Sequence, residues 1–207
     1  VFIMCLALSA FHLYTAWQGP LVTLVHRAVH TSAVLALVFI LYPARKKSNK
    51  KAPTIVDIIM AVLSIAIGLY IIINYKSLVM RAGLPTDMDI AFALLTIVLV
   101  LEAGRRITGK EISILACIFL LYAMVGPHLP SIIAHRGYAI RDIAEYMYLT
   151  TEGIYGIAIG VSSNYIFLFV LFGAFLSKSG MGAFFNDLAM AIAGNGKGGP
   201  AKVAVVS

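Results

Sequence analysis

The feature that most constrains this chain is the recurrence of apolar runs about as long as a membrane-crossing helix, separated by short polar gaps. The hydrocarbon core of a bilayer is about 30 Å thick, so each helical span needs about 20 mostly apolar residues. Of the 207 residues, 61% are apolar and only 12% are charged, and the mean hydropathy is +0.94. Those proportions do not fit one soluble core. The expected fold is all-α, a polytopic transmembrane helical bundle of about six spans with added interfacial and amphipathic helices.

The first run covers about residues 1–16 and stops at Trp17-Gln18-Gly19-Pro20, an interfacial aromatic followed by helix breakers. No basic region precedes it and no small-residue cleavage site closes it, so it reads as a helix rather than a signal peptide. A second run, about 21–42, ends at Pro43 and enters the basic cluster Arg45, Lys46, Lys47, Lys50 and Lys51. A third, about 54–74, leads to a polar loop over 75–89. A fourth, about 90–104, meets Arg105, Arg106 and Lys110. Positive residues favour the cytoplasmic side, and both basic loops then fall inside, which puts the N-terminal side in the cytoplasm of a bacterial or archaeal inner membrane. Arg45, Lys46, Lys47, Lys50, Lys51, Arg105 and Arg106 are the expected topology anchors. Their clustering in loops accounts for the net charge of +7 through lipid contact and orientation. A basic face with interleaved aromatics is lacking, so nucleic acid is not an expected partner.

A fifth run, about 112–125, closes at Gly126-Pro127-His128-Leu129-Pro130. Between 131 and 152, Ile140, Ile143, Ala144, Met147 and Tyr148 recur at spacings of three and four, which predicts a short interfacial helix. The sixth segment, about 154–176, is interrupted by Ser162-Ser163-Asn164. Residues 181–193 read as an amphipathic connector, and a glycine-rich stretch then leads to a new apolar run at Ala201. The chain starts at Val1 and stops at Ser207 inside that run, so a fragment of a longer protein is expected.

Few residues offer chemistry. His26 and His30 lie four apart on one helix face, beside Arg27. Interfacial snorkelling and helix–helix hydrogen bonding explain them without a metal, because no acidic or cysteine ligand is apparent at matching depth. Asp57 and Glu102 sit near cytoplasmic boundaries, where nearby cations can pair with them. Cys5 and Cys117 lie in apolar helices and form neither a zinc pattern nor a disulfide framework. The stretch from Gly194 to Lys202 lacks the Ser or Thr after lysine and the preceding strand that a phosphate loop needs, and reads instead as a hinge entering a broken helix. Gly153, Gly156 and Gly160 form a small-residue ridge suited to close helix packing. Ser162, Ser163 and Asn164 put polar groups at membrane depth, as an ion or substrate pathway needs and as ordinary interhelical hydrogen bonds also do. No catalytic motif can be assembled, and no metal site is expected.

The stretch 165–180, YIFLFVLFGAFLSKSG, followed by Phe184-Phe185-Asn186-Asp187-Leu188-Ala189 and then by 198–207, GGPAKVAVVS, resembles the start of the large membrane subunit of tripartite ATP-independent periplasmic (TRAP) transporters. The likeness is closest to fused permeases, in which small and large subunits form one chain, and Leu129-Pro130 and 151–156, TEGIYG, fit that type. It is specific over about residues 105–207, while the four preceding helices fit the small subunit by number and orientation. The resemblance implies two modules, 1–108 and 109–207, the second truncated. It also implies an elevator-type secondary active symporter, driven by sodium as coupling ion and without another cofactor. Such a permease receives a small organic acid or amino-acid-like anion from a periplasmic solute-binding protein. Ser162, Ser163, Asn164, Gly198, Gly199, Pro200 and Ser207 would then border the ion and substrate pathway, with the family's binding hairpin lying beyond Ser207. Two other readings are an integral-membrane enzyme using His26, His30 or His128, and a non-catalytic membrane scaffold.

Overall fold

The computed structural model describes residues 1–44 and 53–193. The basic cluster Arg45, Lys46, Lys47, Lys50 and Lys51, together with Gly198, Gly199, Pro200 and Ser207, lies outside the described residues. The described secondary structure is helical. In order, the helices are α1 (Phe2–Gln18), α2 (Thr23–Leu41), α3 (Ile55–Met80), α4 (Asp87–Ile107), α5 (Lys110–Val125), α6 (Ile140–Ala144), α7 (Ile157–Val161), α8 (Phe167–Lys178) and α9 (Met181–Ala193). Wider π turns follow α6, at Glu145–Leu149, and α7, at Ser162–Ile166.

Four helical runs among the described residues are long and apolar enough to cross a membrane: Thr23–Leu41, Ile55–Met80, Lys110–His128 and Ile157–Lys178. At 17 residues α1 is a shorter apolar helix. By length α4 suffices, but it carries Asp87 and Asp89 at one end and Glu102, Arg105 and Arg106 at the other. The all-α membrane bundle expected from the apolar runs is therefore the fold observed.

Helix ends follow local chemistry. The first helix stops at Gly19, whose φ of +97° suits glycine. Both α3 and α4 start on a reciprocal capping box: Thr54 accepts from the Asp57 amide and Asp57 from the Thr54 amide, and Thr86 and Asp89 do the same. The third helix runs six residues past the expected end at Asn74, to Met80. Its last turns carry Asn74, Lys76 and Ser77, polar residues that a helix keeps once it has left the hydrocarbon, and the loop shrinks to residues 81–86.

The chain divides into two compact units, 1–164 and 165–207. In the first, α2 is the central helix: just over half of its span is buried, against 6% for α5. It packs most extensively on α3, and Ala28, Ala36 and Phe39 of α2 and Ile67 and Ile71 of α3 are all fully buried. Gly68 makes that approach possible, because a methyl group there would collide with the Ser32 side chain. The segment predicted to lie at the interface is more deeply held than that: Ala144 and Tyr148 are fully buried, and the Tyr148 hydroxyl donates to the Ile67 carbonyl at 2.7 Å. Burial pushes the hydroxyls of Tyr148 and Tyr155 well above the ordinary phenol range.

In the second unit, α8 has no buried residue and is followed by a turn through Gly180, whose φ is +80°. Phe184 and Phe185 on α9 meet edge to face at 5.7 Å, and Ala189 is buried.

Candidate functional site

Three histidines from two helices converge on the π turn after α7. His26 and His30 share one face of α2, as a spacing of four requires, and His12 reaches them from α1. None exceeds 3% exposure, so the snorkelling expected of His26 and His30 does not occur. Their rings point into the bundle, where the helix–helix hydrogen bonding expected beside it does occur. His12 Nε2 lies 2.9 Å from His30 Nδ1, and His30 Nε2 lies 3.1 Å from Ser162 Oγ. The rings of His12 and His30 meet edge to face at 4.9 Å. His26 stacks on Phe11 at 5.4 Å and stands edge-on to His12 at 5.7 Å.

The row His12–His30–Ser162 has two self-consistent proton arrangements. In one, Ser162 donates to His30 and His30 to His12. In the other, His12 Nε2–H donates to His30, and His30 Nε2–H donates to Ser162. The second leaves the Ser162 proton free to turn towards another acceptor. Hydrogen-bond direction at Ser162 is thus tied to the tautomer of a ring two helices away. The Ser163 carbonyl faces the His12 and His26 rings, but at His26 it does not reach hydrogen-bonding geometry, and both His26 ring nitrogens are buried without a hydrogen bond. An incompletely satisfied polar group at this depth is costly, and such groups concentrate where function requires them.

A second tie runs beside the first. Arg27 Nη1 donates to the Tyr155 carbonyl at 2.6 Å, just before the break at Gly156. Gly160 makes room for this guanidinium: a methyl group there would stand 2.6 Å from Arg27 Nη2. The glycine ridge therefore has a narrower purpose at this position than general helix packing. Ser163 Oγ donates back to the Gly160 carbonyl at 3.1 Å. Asn164 is half-buried, and its amide makes no hydrogen bond among the described residues. The residues singled out as a polar interruption thus form a wide helical turn, a feature frequent at functional sites.

The other sequence-marked charges are placed elsewhere. Arg106, 1% exposed, pairs with the fully buried Asp57 at 2.6 Å and with Glu102 at 2.8 Å. It also donates to the Tyr42 carbonyl at 2.8 Å and lies 4.8 Å over the Phe39 ring. Arg105 stays half-exposed on Glu102. The pairing with nearby cations expected for Asp57 and Glu102 is present, with Arg106 holding Asp57. On α4, the buried Asp89 accepts from the Tyr70 hydroxyl at 2.6 Å and from Arg81 at 2.8 Å.

Chemically, the imidazole row can hold or pass a proton. A serine bonded to an imidazole is two members of a hydrolytic triad, but the third here is a second imidazole rather than a carboxylate, and Ser162 lies inside a helix, where neighbouring N–H groups are committed to helical bonds and cannot receive an oxyanion. Among the described residues, no three His, Cys, Asp or Glu side chains are placed to share a metal ion. His128 sits exposed in the 3-10 turn Gly126–His128, and the cluster does not include it. Sequence reasoning missed His12 and Tyr155. A histidine in the middle of an apolar helix is itself a signal, whereas nothing local marks a backbone carbonyl as the seat for an arginine 128 residues away.

The family described as the tripartite ATP-independent periplasmic transporter, DctM component, matches residues 95–207, more than half of the chain. The match begins inside α4 and takes in Tyr155, Gly160 and the Ser162–Asn164 turn, while His12, Arg27 and His30 precede it. No curated protein and no solved structure matches.

Proposed function

The chain belongs to the DctM-component family of tripartite ATP-independent periplasmic transporters and is a membrane-spanning permease component; from that premise we propose that it serves the sodium-driven import of an organic acid or amino-acid-like anion handed over by a periplasmic binding protein. The membrane is the cytoplasmic one, with the N-terminal side and the basic loops inside. The permease class implies transport rather than catalysis.

Within that reading, the π turn at Ser162–Ile166 borders the pathway. Irregular backbone at membrane depth is tolerated where it faces a cavity or an ion. Ser162, Ser163 and Asn164 offer two hydroxyls and an amide there, whose oxygens suit a hard cation and whose O–H and N–H groups suit a carboxylate. His30 and Arg27 hold the turn from α2, so the preceding helices act as the fixed frame. Gly198, Gly199, Pro200 and Ser207 would border the same pathway.

The observation that carries this reading is the family match over 95–207, which includes the Ser162–Asn164 turn. It is tested by uptake of labelled organic acids into proteoliposomes holding the permease, with and without a sodium gradient and a cognate binding protein. Accumulation that needs both supports it. Accumulation independent of sodium, or of the binding protein, overturns the corresponding part.

A further inference from the structure

A groove of about 890 Å³ opens along the last turns of α5, away from the imidazole cluster. Its floor is one face of α5, formed by Ala116, Phe119, Leu120 and Ala123 at the i, i+3, i+4, i+7 spacing that lines a helix. Its other wall is the segment from Arg136 to Thr150, held in two places. Near α5, the Tyr138 amide donates to the Ala123 carbonyl at 2.9 Å, and the Tyr122 hydroxyl donates to the Ile133 carbonyl at 2.9 Å. On the far side, Arg141 pairs with Asp87, and the Glu145 carboxylate takes the Gly83 amide at 2.7 Å.

The groove is polarised. Its deep end, towards Ala116, is apolar. Its mouth carries Arg136, Asp142 and Glu145. Arg136 lies 4.9 Å over the Tyr138 ring and forms no ion pair among the described residues. Asp142 and Glu145 each give one carboxylate oxygen to a backbone amide, at 3.1 and 2.7 Å, and keep the other available. From Ala123 to Ala116 the helix descends about 10 Å, at about 1.5 Å per residue, towards the middle of the span.

We propose that this groove binds one zwitterionic aminophospholipid, with its phosphate on Arg136, its ammonium on Asp142 and Glu145, and an acyl chain along Ala116, Phe119 and Leu120. Three features on the page select this occupant. The groove is apolar towards the bilayer centre and charged at the boundary, the orientation in which a lipid already stands. Its mouth offers both signs of charge, and a guanidinium suits a phosphate. Its volume falls within the range of ligand pockets. A small soluble anion would gain nothing from the apolar floor, and an apolar protein helix would leave the three charges unmatched.

The test is native mass spectrometry of the detergent-purified permease, delipidated and then offered phosphatidylethanolamine or phosphatidylglycerol. The permease is expected to retain phosphatidylethanolamine preferentially. Arg136→Gln should reduce retention by about fivefold or more, as loss of a phosphate-binding guanidinium requires. Ala116→Trp, which fills the apolar floor, should do the same without touching a charge. Asp142→Asn should shift the preference towards phosphatidylglycerol. A photoreactive residue at Phe119 should crosslink to lipid. Equal retention of both lipids by the unmodified permease, or crosslinking of position 119 to polypeptide, overturns the proposal even where a variant fails to fold.

Discussion

Two of the polar clusters buried in the first unit are built on opposite principles. Around Arg106, charges neutralise one another: the guanidinium has Asp57, Glu102, a carbonyl and an aromatic face, and Asp57 is also engaged with Thr54. Around His30, imidazoles hydrogen-bond to one another and to a serine hydroxyl, and His26 has no hydrogen bond for either ring nitrogen. A saturated network fixes one arrangement. A single file of imidazoles with two tautomeric directions has a second arrangement within reach. The first cluster has the pattern of a frame, and the second has hydrogen bonds that can reverse direction.

The largest expected effect breaks the frame. Arg106→Leu leaves Asp57 without its cation, while Glu102 keeps Arg105, and should destabilise the protein by roughly 3 kcal/mol, the lower end for a broken buried pair because the site lies near a helix boundary. The check is a lower unfolding midpoint in detergent. The double variant Asp57→Asn, Arg106→Leu should recover part of that loss, because Asn still caps the helix and no charge is stranded. If single and double variants are equally unstable, charge pairing is not what holds that end.

Next comes the imidazole file. His30→Phe keeps an aromatic ring in the space but cuts the link between His12 and Ser162. Its stability cost should be about 1 kcal/mol, while uptake should fall by about tenfold or more if the turn borders the pathway. Ser162→Ala should mimic it. Transport at normal rates in both would place the file with the frame and remove the contrast. Gly160→Ala should have a smaller effect, pushing the mobile Arg27 guanidinium and weakening its bond to the Tyr155 carbonyl, for about 1 kcal/mol measured as a shifted midpoint.

The smallest effect belongs to Tyr148→Phe, which removes one hydrogen bond to the Ile67 carbonyl and should cost about 0.5 kcal/mol, the lower end for a single hydrogen bond. Its pH dependence has a definite sign. Burial first, then the neighbouring Tyr155, raises the Tyr148 hydroxyl in the folded protein. Its contribution is therefore fully present below the ordinary phenol pKa of about 10 and is lost as pH rises beyond it. The variant should show a shallower alkaline fall in stability than the parent.

Much of the frame was legible in the sequence. Apolar length set the helices in order and Pro and Gly marked stops, but the capping boxes at Thr54 and Thr86 went unread, and α4 begins at Asp87, three residues before the expected start. The end of α3 was misjudged because polarity at Asn74, Lys76 and Ser77 marks where the hydrocarbon ends, which need not be where the helix ends. The mobile-looking cluster was half legible. His26, His30 and Ser162–Asn164 stood out as polar groups in apolar runs, but their union did not, because it joins residues 132 positions apart. His12 passed unnoticed for lack of a periodic companion, and the seat of Arg27 is a main-chain atom, which carries no sequence label.

Asp57 has consequences for how the protein enters the bilayer. The same carboxylate that closes the first turn of α3 is matched by a cation 49 residues later, at the far end of α4. While α3 is alone, its first-turn carboxylate lacks that cation at the edge of the hydrocarbon, and α4 alone brings in Arg106 with only Glu102, which Arg105 shares. Neither segment reaches its resting depth cheaply before the other. Insertion of this hairpin is thereby made a joint event, and the order in which segments leave the ribosome is converted into a checkpoint on their pairing.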